Sequence, residues 1–495
     1  MSAPERVVVV GAGISGLAAA HALLAAGVTV VVLEAAERTG GVLHAGEVGG
    51  VRVDLGAEAM LARRPEGVDL AGAVGLGDDL VSPTGARPAV WRTDGARPLP
   101  AGTVMGVPGS TTDLSAVLRP HELEATRRAR ADTRTRAGHG ADAGHGADAG
   151  DGAGAGDGAG AGDGGLDRDV SVAEAVERDS GRPVLDLLVE PLLGGVYAGR
   201  TDRLSLAATV PALAAALRRG EPLATAADSA AATGPAPGVP VFTGIDGGMA
   251  RLARAATDDL RARGVDVRTG VLVSGLDRVP GGWRLQTSAG PVAAAAVVLA
   301  LPTTTTARLL TPVVPVAGRA LAEVDVAGVA VVALAVAGLE PTTSGLLVPP
   351  VESAAAGVDV KAVTFSGAKW DWVAAQGGTG VLRASLGRAG ESTVLRRDDR
   401  ALADLVRRDL AVLLGREHGA TAGLGAAPAV VARWGGALPQ YAPGHLDRAA
   451  RVRAAVAAAG GLAVTGAFLD GVGVPACIGT ARTEVTRLLH GVAAA

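Results

Sequence analysis

The sequence has almost no cysteine: Cys477 is the single one among 495 residues. One thiol excludes an internal disulfide, and cysteine-poor chains are typical of a reducing compartment, so a cytoplasmic protein is expected. Long apolar runs are also missing, since no uninterrupted stretch reaches the roughly 20 residues that span a bilayer. The N-terminal residues MSAPER lack the basic region and cleavage site of a secretory signal. We expect no integral membrane segment, which leaves room for peripheral membrane contact.

Lysine is nearly absent as well. Lys361 and Lys369 are the two lysines among 46 basic residues, and arginine replaces lysine along the whole chain, which indicates a compositional bias. The formal net charge is −4, and the basic residues form no concentrated stripe. Nucleic-acid binding depends on clustered lysine and arginine, so this class of function is not expected.

Residues 137–165 form a repeat of glycine, alanine and aspartate, AGHGADAGHGADAGDGAGAGDGAGAGDGG. This segment has almost no large apolar side chain to offset the entropy of ordering, so a flexible, solvated insertion is predicted. His139 and His145 lie in it beside aspartates, but a metal site needs a fixed geometry that such a backbone does not supply. No histidine and cysteine cluster of metal-binding type is found elsewhere, and no metal is expected.

The most informative segment lies near the N-terminus. The apolar run VVVV, residues 7–10, breaks at a glycine-rich turn and continues into the helix-type sequence LAAAHALLAAG. Glu34 closes the next apolar run, VTVVVLE, about 20 residues downstream. A strand, a glycine turn, a helix and a second strand with a terminal carboxylate are the unit that binds a dinucleotide. The turn residues, all candidates for cofactor contact, are Gly11, Ala12, Gly13, Ile14, Ser15 and Gly16.

Each glycine of this turn has a separate physical reason. Gly11 allows the tight turn, Gly13 lets the backbone approach a pyrophosphate, and Gly16 lets the helix pack close to the strand. The backbone N–H groups at the helix start then meet the phosphates. Glu34 is placed to accept hydrogen bonds from the ribose hydroxyls, whereas an arginine there would favour a 2′-phosphate. The spacing alone leaves the identity of the dinucleotide open.

Two further segments point to a family. Residues 37–41 read ERTGG directly after the second strand, and residues 53–58 read VDLGAE. GAGISGL, LEAAERTGGVLH and VDLGAE together resemble the N-terminal signature of FAD-containing amine oxidases, phytoene desaturases and protoporphyrinogen oxidases. In that superfamily the Arg-x-Gly-Gly segment lies along the cofactor phosphates and the DLG segment passes near the flavin ring. The resemblance therefore implies FAD.

Other segments resemble the bacterial oxygen-dependent porphyrinogen oxidases, which act on coproporphyrinogen III or protoporphyrinogen IX. They are EPLLGGVYAG at 190–199, FTGIDGGMARLARA at 242–255, ARWGGALPQYAPGHLDR at 432–448 and LAVTGAFLDGVGVPACIGTAR at 462–482. The similarity covers most of the chain and is weaker across 111–170 and 305–430.

The resemblance also assigns contacts to the cofactor. The start of the helix after Gly473 is expected to direct its N–H groups to the pyrimidine side of the flavin. PACIGTA lacks the aromatic neighbour of a covalent attachment motif, so Cys477 is expected to be a small buried residue and the FAD non-covalent. Beyond the turn and Glu34, the implied FAD contacts are Ala35, Arg38, Gly40, Gly41, Val42, Gly56, Ala57, Glu58, Ala59, Val273, Ala467, Val472, Gly473 and Val474.

The substrates that the resemblance implies are tetrapyrroles with propionate groups. Cationic side chains are therefore expected to bind their carboxylates. Arg63 and Arg64 follow DLGAEAMLA directly and are expected to enter the substrate cavity, with Arg64 the stronger candidate. An arginine there can hold a carboxylate by a bidentate pair. The implied reaction removes six electrons in three flavin cycles, with O2 as acceptor and hydrogen peroxide as product. The flavin carries this chemistry, so no catalytic side chain is assigned. We further expect that the product is handed over to a ferrochelatase.

The expected fold class is α/β, and α+β overall. Apolar runs such as AAAAVVLALP and GLAVTGAF are typical of buried parallel strands. The resemblance implies a discontinuous Rossmann-type FAD-binding domain, a sheet-based substrate domain and a helical subdomain that contains the insertion 137–165. The FAD-binding domain takes 1–63, 240–304 and 431–495, the substrate domain 64–110, 205–239 and 305–430, and the helical subdomain 111–204.

Oxidation of coproporphyrinogen III in haem biosynthesis is the expected function. The chain has no membrane segment and has a bacterial, arginine-biased composition. In this it resembles enzymes of the coproporphyrin-dependent pathway more than those of the membrane-associated protoporphyrin pathway. Oxidation of protoporphyrinogen IX is the alternative. A flavin amine oxidase and a non-enzymatic tetrapyrrole or flavin carrier are further alternatives.

Overall fold

The computed structural model describes residues 6–142, 168–232, 240–415 and 421–494. Its fold is mixed α/β, which confirms the predicted class. The helix Pro120–Asp142 runs into the predicted flexible insertion, so residues 137–142 are helical and not irregular. Residues 143–165 of that insertion lie outside the described ranges. Within the described ranges no helix is both long and apolar enough to cross a bilayer.

Five parallel strands form the first sheet. All residues of its three central strands are buried, and the register aligns Val7 with Val30 on one side and with Ala296 on the other. Continuous apolar runs suit strands that are covered on both faces. The sheet therefore joins strands from the beginning, the middle and the end of the chain. Their order is Asp266–Arg268, Val30–Leu33, Val7–Val10, Ala296–Leu299 and Leu462–Val464.

Two layers cover this five-stranded sheet and bury its apolar side chains. One layer consists of four helices that share a core with it, namely Ile14–Ala25, Pro65–Ala73, Ala250–Ala262 and Val474–Ala494. The other layer consists of a three-stranded antiparallel sheet and three helices. Its strands are Val273–Val279, Gly282–Thr287 and Val292–Ala294, and its helices are Thr303–Leu310, Pro315–Ala322 and His445–Ala458.

Seven strands form the second large sheet. Successive side chains of a strand point to opposite faces, so Leu382 and Ala384 pack in the core beneath the helix Asp399–Leu414. Val381 and Ala333 lie on the opposite face, against the hairpin that carries the DLG segment. The strand order is Ala429–Pro439, Val326–Ala335, Val381–Leu386, Ala362–Phe365, Gly345–Leu347, Pro88–Arg92 and Gly95–Pro98, and the hairpin strands are Ala45–Val48 and Val51–Asp54.

The same face of the seven-stranded sheet continues beyond the hairpin as a row of three cross-strand neighbours, Ser385, Ala362 and Leu347. We call these three residues the open row, because each keeps part of its surface exposed. Further along this face, Val90 packs in the core of the helical part of the molecule. The open row therefore lies between the DLG hairpin and the helical part.

The helical part, here called the helical region, has one apolar core of its own. Arg92 joins it to the seven-stranded sheet: its guanidinium is 2% exposed and lies 2.7 Å from Glu122 and 3.0 Å from Glu352. The helices are Pro120–Asp142, Val172–Ser180, Arg182–Val184, the π-helical turn Leu185–Val189, Glu190–Tyr197, Leu206–Thr209, Pro211–Arg218 and Leu223–Ala232.

Some predicted domain boundaries fall inside shared cores. The boundary at 431 lies within Ala429–Pro439, a strand of the seven-stranded sheet. The helices between residues 206 and 232 share the core of the helical region, and Leu70 from Pro65–Ala73 lies in the core of the five-stranded sheet. The domain limits themselves stay a prediction.

The remaining elements are short. They are the strands Met60–Leu61, Leu80–Val81, Thr103–Val104, Val107–Pro108 and Phe242–Ile245, and the helical segments Pro350–Ala356, Ser366–Lys369, Asp371–Ala374, Val394–Arg396 and Thr421–Leu424.

Candidate flavin-binding site

The turn after Val7–Val10 is tight at two of its glycines and open at the third. A Cβ on Gly16 would lie 1.8 Å from the carbonyl oxygen of Gly11, and a Cβ on Gly11, whose φ is 100°, would lie 2.4 Å from that of Ala300. No atom of the described residues comes within 4 Å of a Cβ placed on Gly13. Gly11 and Gly16 are therefore glycines for packing, whereas Gly13 borders space that a ligand can fill.

The helix Ile14–Ala25 presents free backbone donors to that space. Its N-cap is Gly13, which has no side chain to cap the helix, and the first turn contains no acidic residue. The N–H of Leu17 donates to the carbonyl oxygen of Gly13 at 3.0 Å. The three N–H groups before it, on Ile14, Ser15 and Gly16, have no intrahelical acceptor. Such a helix start binds phosphate through its N–H groups and its dipole.

The Glu34 carboxylate is held beside the turn by two backbone donors. Its Oε2 accepts from the N–H of Ala12 at 2.7 Å, and its Oε1 accepts from the N–H of Ala36 at 2.9 Å. Each oxygen keeps a further lone pair, so ribose hydroxyls can still donate to it. The carbonyl oxygen of Glu34 accepts from Val271, which brings the start of Val273–Val279 next to the predicted adenosine end. Ala35 follows Glu34 directly and is exposed, and Val273 comes two residues after Val271.

The ERTGG segment packs against the same turn. The N–H of Gly40 donates to the carbonyl oxygen of Ala12 at 2.8 Å, and a Cβ on Gly41 would lie 3.3 Å from the Cα of Gly13. Both glycines have positive φ. Arg38 and Val42 are exposed beside them, so the segment borders the open space next to Gly13.

The DLG segment is fixed by backbone and indole hydrogen bonds. The indole N–H of Trp434 donates to the carbonyl oxygen of Leu55 at 2.9 Å. Ala57 donates to the carbonyl oxygen of Val42 at 3.2 Å, and a Cβ on Gly56 would lie 1.8 Å from that same oxygen. Only glycine fits at position 56. Ala57 and the predicted contact Ala59 are both partly buried on this segment.

Glu58 lies at the centre of a partly buried charge cluster, which we define as Glu58, Lys369 and Arg383. Lys369 forms an ion pair with one carboxylate oxygen, and Nη1 of Arg383 lies 2.6 Å from the other. Nη2 of Arg383 donates to the carbonyl oxygen of Gly56 at 2.6 Å. Burial disfavours the charge of Glu58, but the two cations outweigh it and lower its pKa to about 2. The carboxylate is therefore ionised throughout the neutral range.

The pKa of Asp54, four residues before Glu58, is shifted in the opposite direction. It is 2% exposed, and its carboxylate accepts from the N–H of Met249 at 2.9 Å, at the start of Ala250–Ala262. Burial raises the pKa of Asp54 to about 6, against these backbone hydrogen bonds. The hairpin that carries the DLG segment is thereby tied to the five-stranded sheet.

The C-terminal helix Val474–Ala494 begins at the junction of the two large cores. Val474 packs in the core of the five-stranded sheet, and Val472 packs against the helical region. Gly473 is exposed between them, and the carbonyl oxygen of Ala467 accepts from the hydroxyl of Tyr441. A helix start at this junction can meet a flavin ring, as the resemblance implies.

Cys477 lies in the first turn of that helix and is 6% exposed. Burial raises the pKa of its thiol to about 11. The thiolate is the reactive form, so this cysteine is a poor nucleophile at neutral pH.

Arg63 and Arg64 lie at the surface, where the chain enters Pro65–Ala73. The guanidinium of Arg64 already has a carboxylate partner: Nη2 lies 2.5 Å and Nε 3.0 Å from oxygens of Glu66. Its Nη1 takes no part in these bonds. The pair is partly exposed, so the energy that it contributes is small.

Sequence reasoning missed Lys369 and Arg383, because it attributed the scarcity of lysine to composition alone. The rarity of lysine is the one signal in the sequence that singles out Lys369, because its ion pair with Glu58 is visible only in the structure. Arg383 gave no such signal among the many arginines. Within the described ranges, no group of three histidine, cysteine or acidic residues is arranged to hold a metal.

We expect Glu58→Gln to lower the free energy of unfolding by about 3 kcal/mol, because Lys369 and Arg383 would then lack a counter-charge. The folded-state pKa of Glu58 is about 2, below the usual value of 4.5 for a glutamate. Its contribution is therefore complete above pH 4.5 and lost as the pH falls towards 2. Urea unfolding across this range should show a steeper loss for the wild type than for the variant. Glu124→Gln, which removes an exposed partner of Arg128, is the control, and equal unfolding free energies for wild type and Glu58→Gln would contradict the assignment.

Comparison with known proteins identifies the family of this chain. The sequence pattern of flavin-containing amine oxidoreductases matches residues 14–489. The coproporphyrinogen III oxidase of Mycobacterium tuberculosis is 36% identical over 499 residues, which cover 99% of this chain and 98% of the relative. The enzyme of the same name from Propionibacterium freudenreichii is 30% identical, covering 99% of this chain and 92% of its own.

Among solved structures, a candidate protoporphyrinogen oxidase from Exiguobacterium shares the fold with a TM-score of 0.78 and 27% identity, covering 98% of this chain and 99% of that one. The chain therefore belongs to the flavin-containing amine oxidoreductases, within the group of bacterial coproporphyrinogen III oxidases, and is an FAD-dependent oxidoreductase.

Proposed function

We propose that this protein oxidises coproporphyrinogen III to coproporphyrin III in haem biosynthesis, with O2 as the electron acceptor. The observation that carries the proposal is the 36% identity to a coproporphyrinogen III oxidase over nearly the full length of both chains. Six electrons leave the substrate in three cycles, and three molecules of O2 become three molecules of hydrogen peroxide. Each cycle removes a hydride from a bridge carbon together with one proton, and over the three cycles four hydrogens leave the bridge carbons and two leave the pyrrole nitrogens.

The residues around Gly13 fit FAD, because the backbone there borders open space next to uncapped N–H groups. The turn and the ERTGG segment would hold the pyrophosphate, and Glu34 the ribose. When bound, FAD supplies the acceptor for the hydride that leaves a bridge carbon of the substrate. The high pKa of the Cys477 thiol supports non-covalent attachment of the cofactor.

The charge cluster would hold the DLG segment rigid beside the flavin. Arg383 bonds both the carboxylate of Glu58 and the carbonyl oxygen of Gly56, so it couples the seven-stranded sheet to the backbone next to the cofactor. The helix start at Val474–Ala494 would place positive backbone dipoles at the side of the ring where negative charge develops on reduction. A site fixed by such supports holds its geometry through repeated cycles.

Coproporphyrinogen carries four propionates, whereas protoporphyrinogen has two of them replaced by vinyl groups. Arg64, with Arg63 beside it, is proposed to contact a propionate through the guanidinium nitrogen that Glu66 does not engage. A cavity with an additional cation favours the substrate with more carboxylates. Oxidation of protoporphyrinogen IX is the second candidate function, which the structural similarity to the Exiguobacterium protein favours.

We also propose a cytoplasmic location and transfer of the product to a ferrochelatase. The single cysteine supports a reducing compartment. A metal-inserting enzyme is the class of reaction that consumes a free porphyrin.

Gly13→Val is expected to yield a folded protein without FAD, because the added side chain would fill the space that the pyrophosphate needs. Gly16→Ala is the matched comparison in the same turn. Its Cβ would lie 1.8 Å from the carbonyl oxygen of Gly11, so it should lower the melting temperature and not only the cofactor content. Flavin absorbance per chain and thermal unfolding distinguish the two. Full FAD occupancy in Gly13→Val would show that the cofactor lies elsewhere.

The holoenzyme should convert coproporphyrinogen III to a fluorescent porphyrin with a higher kcat/KM than protoporphyrinogen IX. Arg64→Ala should lower the ratio of the two kcat/KM values, by about tenfold for one lost charged hydrogen bond. Arg219→Ala, which removes an exposed arginine paired with Glu221, should leave the ratio unchanged. A wild-type preference for protoporphyrinogen would overturn the substrate assignment, and an unchanged ratio in Arg64→Ala would remove Arg64 from the site.

A further inference from the structure

Both tyrosines of the chain belong to one buried stack of rings. The ring centroids of Tyr197 and Tyr441 lie 5.6 Å apart, and the ring of Tyr441 stacks on that of His445 with centroids 3.8 Å apart and planes 16° from parallel. The two tyrosines pack in the core of the helical region, and His445 begins the helix His445–Ala458 beside the five-stranded sheet. Tyr441 and His445 are each 1% exposed. The stack therefore connects the helical region with the five-stranded sheet.

The loop of residues 466–473, here called the C-terminal loop, leads into the C-terminal helix and lies next to this stack. Phe468 and Leu469 are buried in the core beside the five-stranded sheet. Ala467 and residues 471–473 keep part of their surface exposed. The loop is thus anchored through two apolar side chains, whereas its other residues remain accessible to a ligand.

Two side chains of the stack donate hydrogen bonds to this loop. The hydroxyl of Tyr441 donates to the carbonyl oxygen of Ala467, and Nε2 of His445 lies 3.1 Å from the carbonyl oxygen of Leu469. A carbonyl oxygen only accepts, so Nε2 carries the proton. Nδ1 of His445 has no hydrogen-bond partner among the described residues, and burial lowers the pKa of this histidine. The ring is therefore neutral, and its one donor is directed at the loop.

A third carbonyl of the loop is bound in the same manner. The thiol of Cys477 lies 3.7 Å from the carbonyl oxygen of Gly471, so the carbonyl groups of three alternate residues each have a side-chain donor. Within the described ranges, the N–H groups of Val472 and Gly473 donate to no protein acceptor. Protein side chains thus bind carbonyl groups of the loop, and its last two N–H groups stay available to a ligand.

The helical region fixes the stack from the other side. The N–H of Ser205 donates to the backbone carbonyl oxygen of Tyr441 at 2.7 Å. The side-chain amide of Gln440, which is 6% exposed, donates to the backbone carbonyl oxygen of Tyr197 at 2.8 Å. These bonds and the ring contacts give the Tyr441 hydroxyl a fixed position, so it can hold the loop rather than follow it.

We propose that Tyr441 and His445 are positioning residues, which hold the peptide groups of the C-terminal loop in the orientation that directs the N–H groups of Val472 and Gly473 at the pyrimidine edge of the flavin. This inference rests on the proposed function, which places the flavin ring at the start of the C-terminal helix. Negative charge collects at that edge when the flavin is reduced, and fixed backbone donors stabilise it. The two residues therefore raise the reduction potential of bound FAD without touching the substrate.

The midpoint potential of FAD in the purified holoenzyme tests this, measured by anaerobic reduction against a reference dye. Tyr441→Phe keeps the ring stack and removes only the hydroxyl. It should lower the midpoint potential, because the N–H groups of the loop would no longer be held against the reduced ring. About tenfold weaker binding of reduced relative to oxidised FAD corresponds to about 30 mV for a two-electron couple.

Tyr197→Phe is the matched control, since it removes the other hydroxyl of the same stack. In the described part of the chain that hydroxyl donates to no residue, so the midpoint potential should stay at the wild-type value. His445→Leu should lower the potential as Tyr441→Phe does. His445→Gln, whose amide can donate from a similar position, should restore most of it. A merely structural role would lower the melting temperature of His445→Leu and leave the potential unchanged.

A wild-type midpoint potential in Tyr441→Phe would overturn this inference. Reduction against a dye needs no tetrapyrrole, so a wild type that holds FAD and fails to oxidise a porphyrinogen would overturn the proposed function alone. If Tyr441→Phe does not fold, His445→Leu and His445→Gln decide, and equal potentials in these two variants would contradict the positioning role.

Discussion

The close contact between Gly11 and Gly16 is the constraint on which the cofactor site depends. With 1.8 Å between a Cβ at residue 16 and the carbonyl oxygen of Gly11, the helix Ile14–Ala25 can begin directly at the end of Val7–Val10 only if residue 16 is glycine. The peptide of Ala12 then binds Glu34 through its N–H and Gly40 through its carbonyl oxygen. The Glu34 carboxylate and the ERTGG segment thus meet at one turn, and the ERTGG segment borders the space beside Gly13.

The second feature of the site is the coupling of the DLG segment to the seven-stranded sheet through one carboxylate. Glu58 leaves the DLG segment and binds Lys369 and Arg383 from the seven-stranded sheet and its adjoining helix. Buried ion pairs add little net stability compared with apolar packing, but they are costly to break and they fix orientation. The cluster therefore holds the DLG segment against the seven-stranded sheet by directed bonds as well as by apolar packing.

Much of the cofactor site was predictable because it is local. The glycine spacing, the carboxylate at Glu34 and the ERTGG segment encode turns and helix starts whose geometry follows from a few neighbouring residues. Arg383 was not predictable, since it meets Glu58 across 325 positions through the register of a sheet. The open row comes from 305–430, where the sequence offered few landmarks. The place of the strand Ala429–Pro439 in the seven-stranded sheet was not predictable either, because its pairing partner Val326–Ala335 is distant in sequence.

The central claim is that this fold brings a tetrapyrrole to a bound flavin. Anaerobic mixing of the FAD-loaded enzyme with coproporphyrinogen III tests it most directly, with the absorbance of oxidised flavin followed in a stopped-flow instrument. The account predicts loss of that absorbance in the absence of oxygen, at a rate no slower than kcat, and its return when oxygen is admitted. An unchanged flavin spectrum with this substrate, or reduction by a primary amine in its place, would contradict the account.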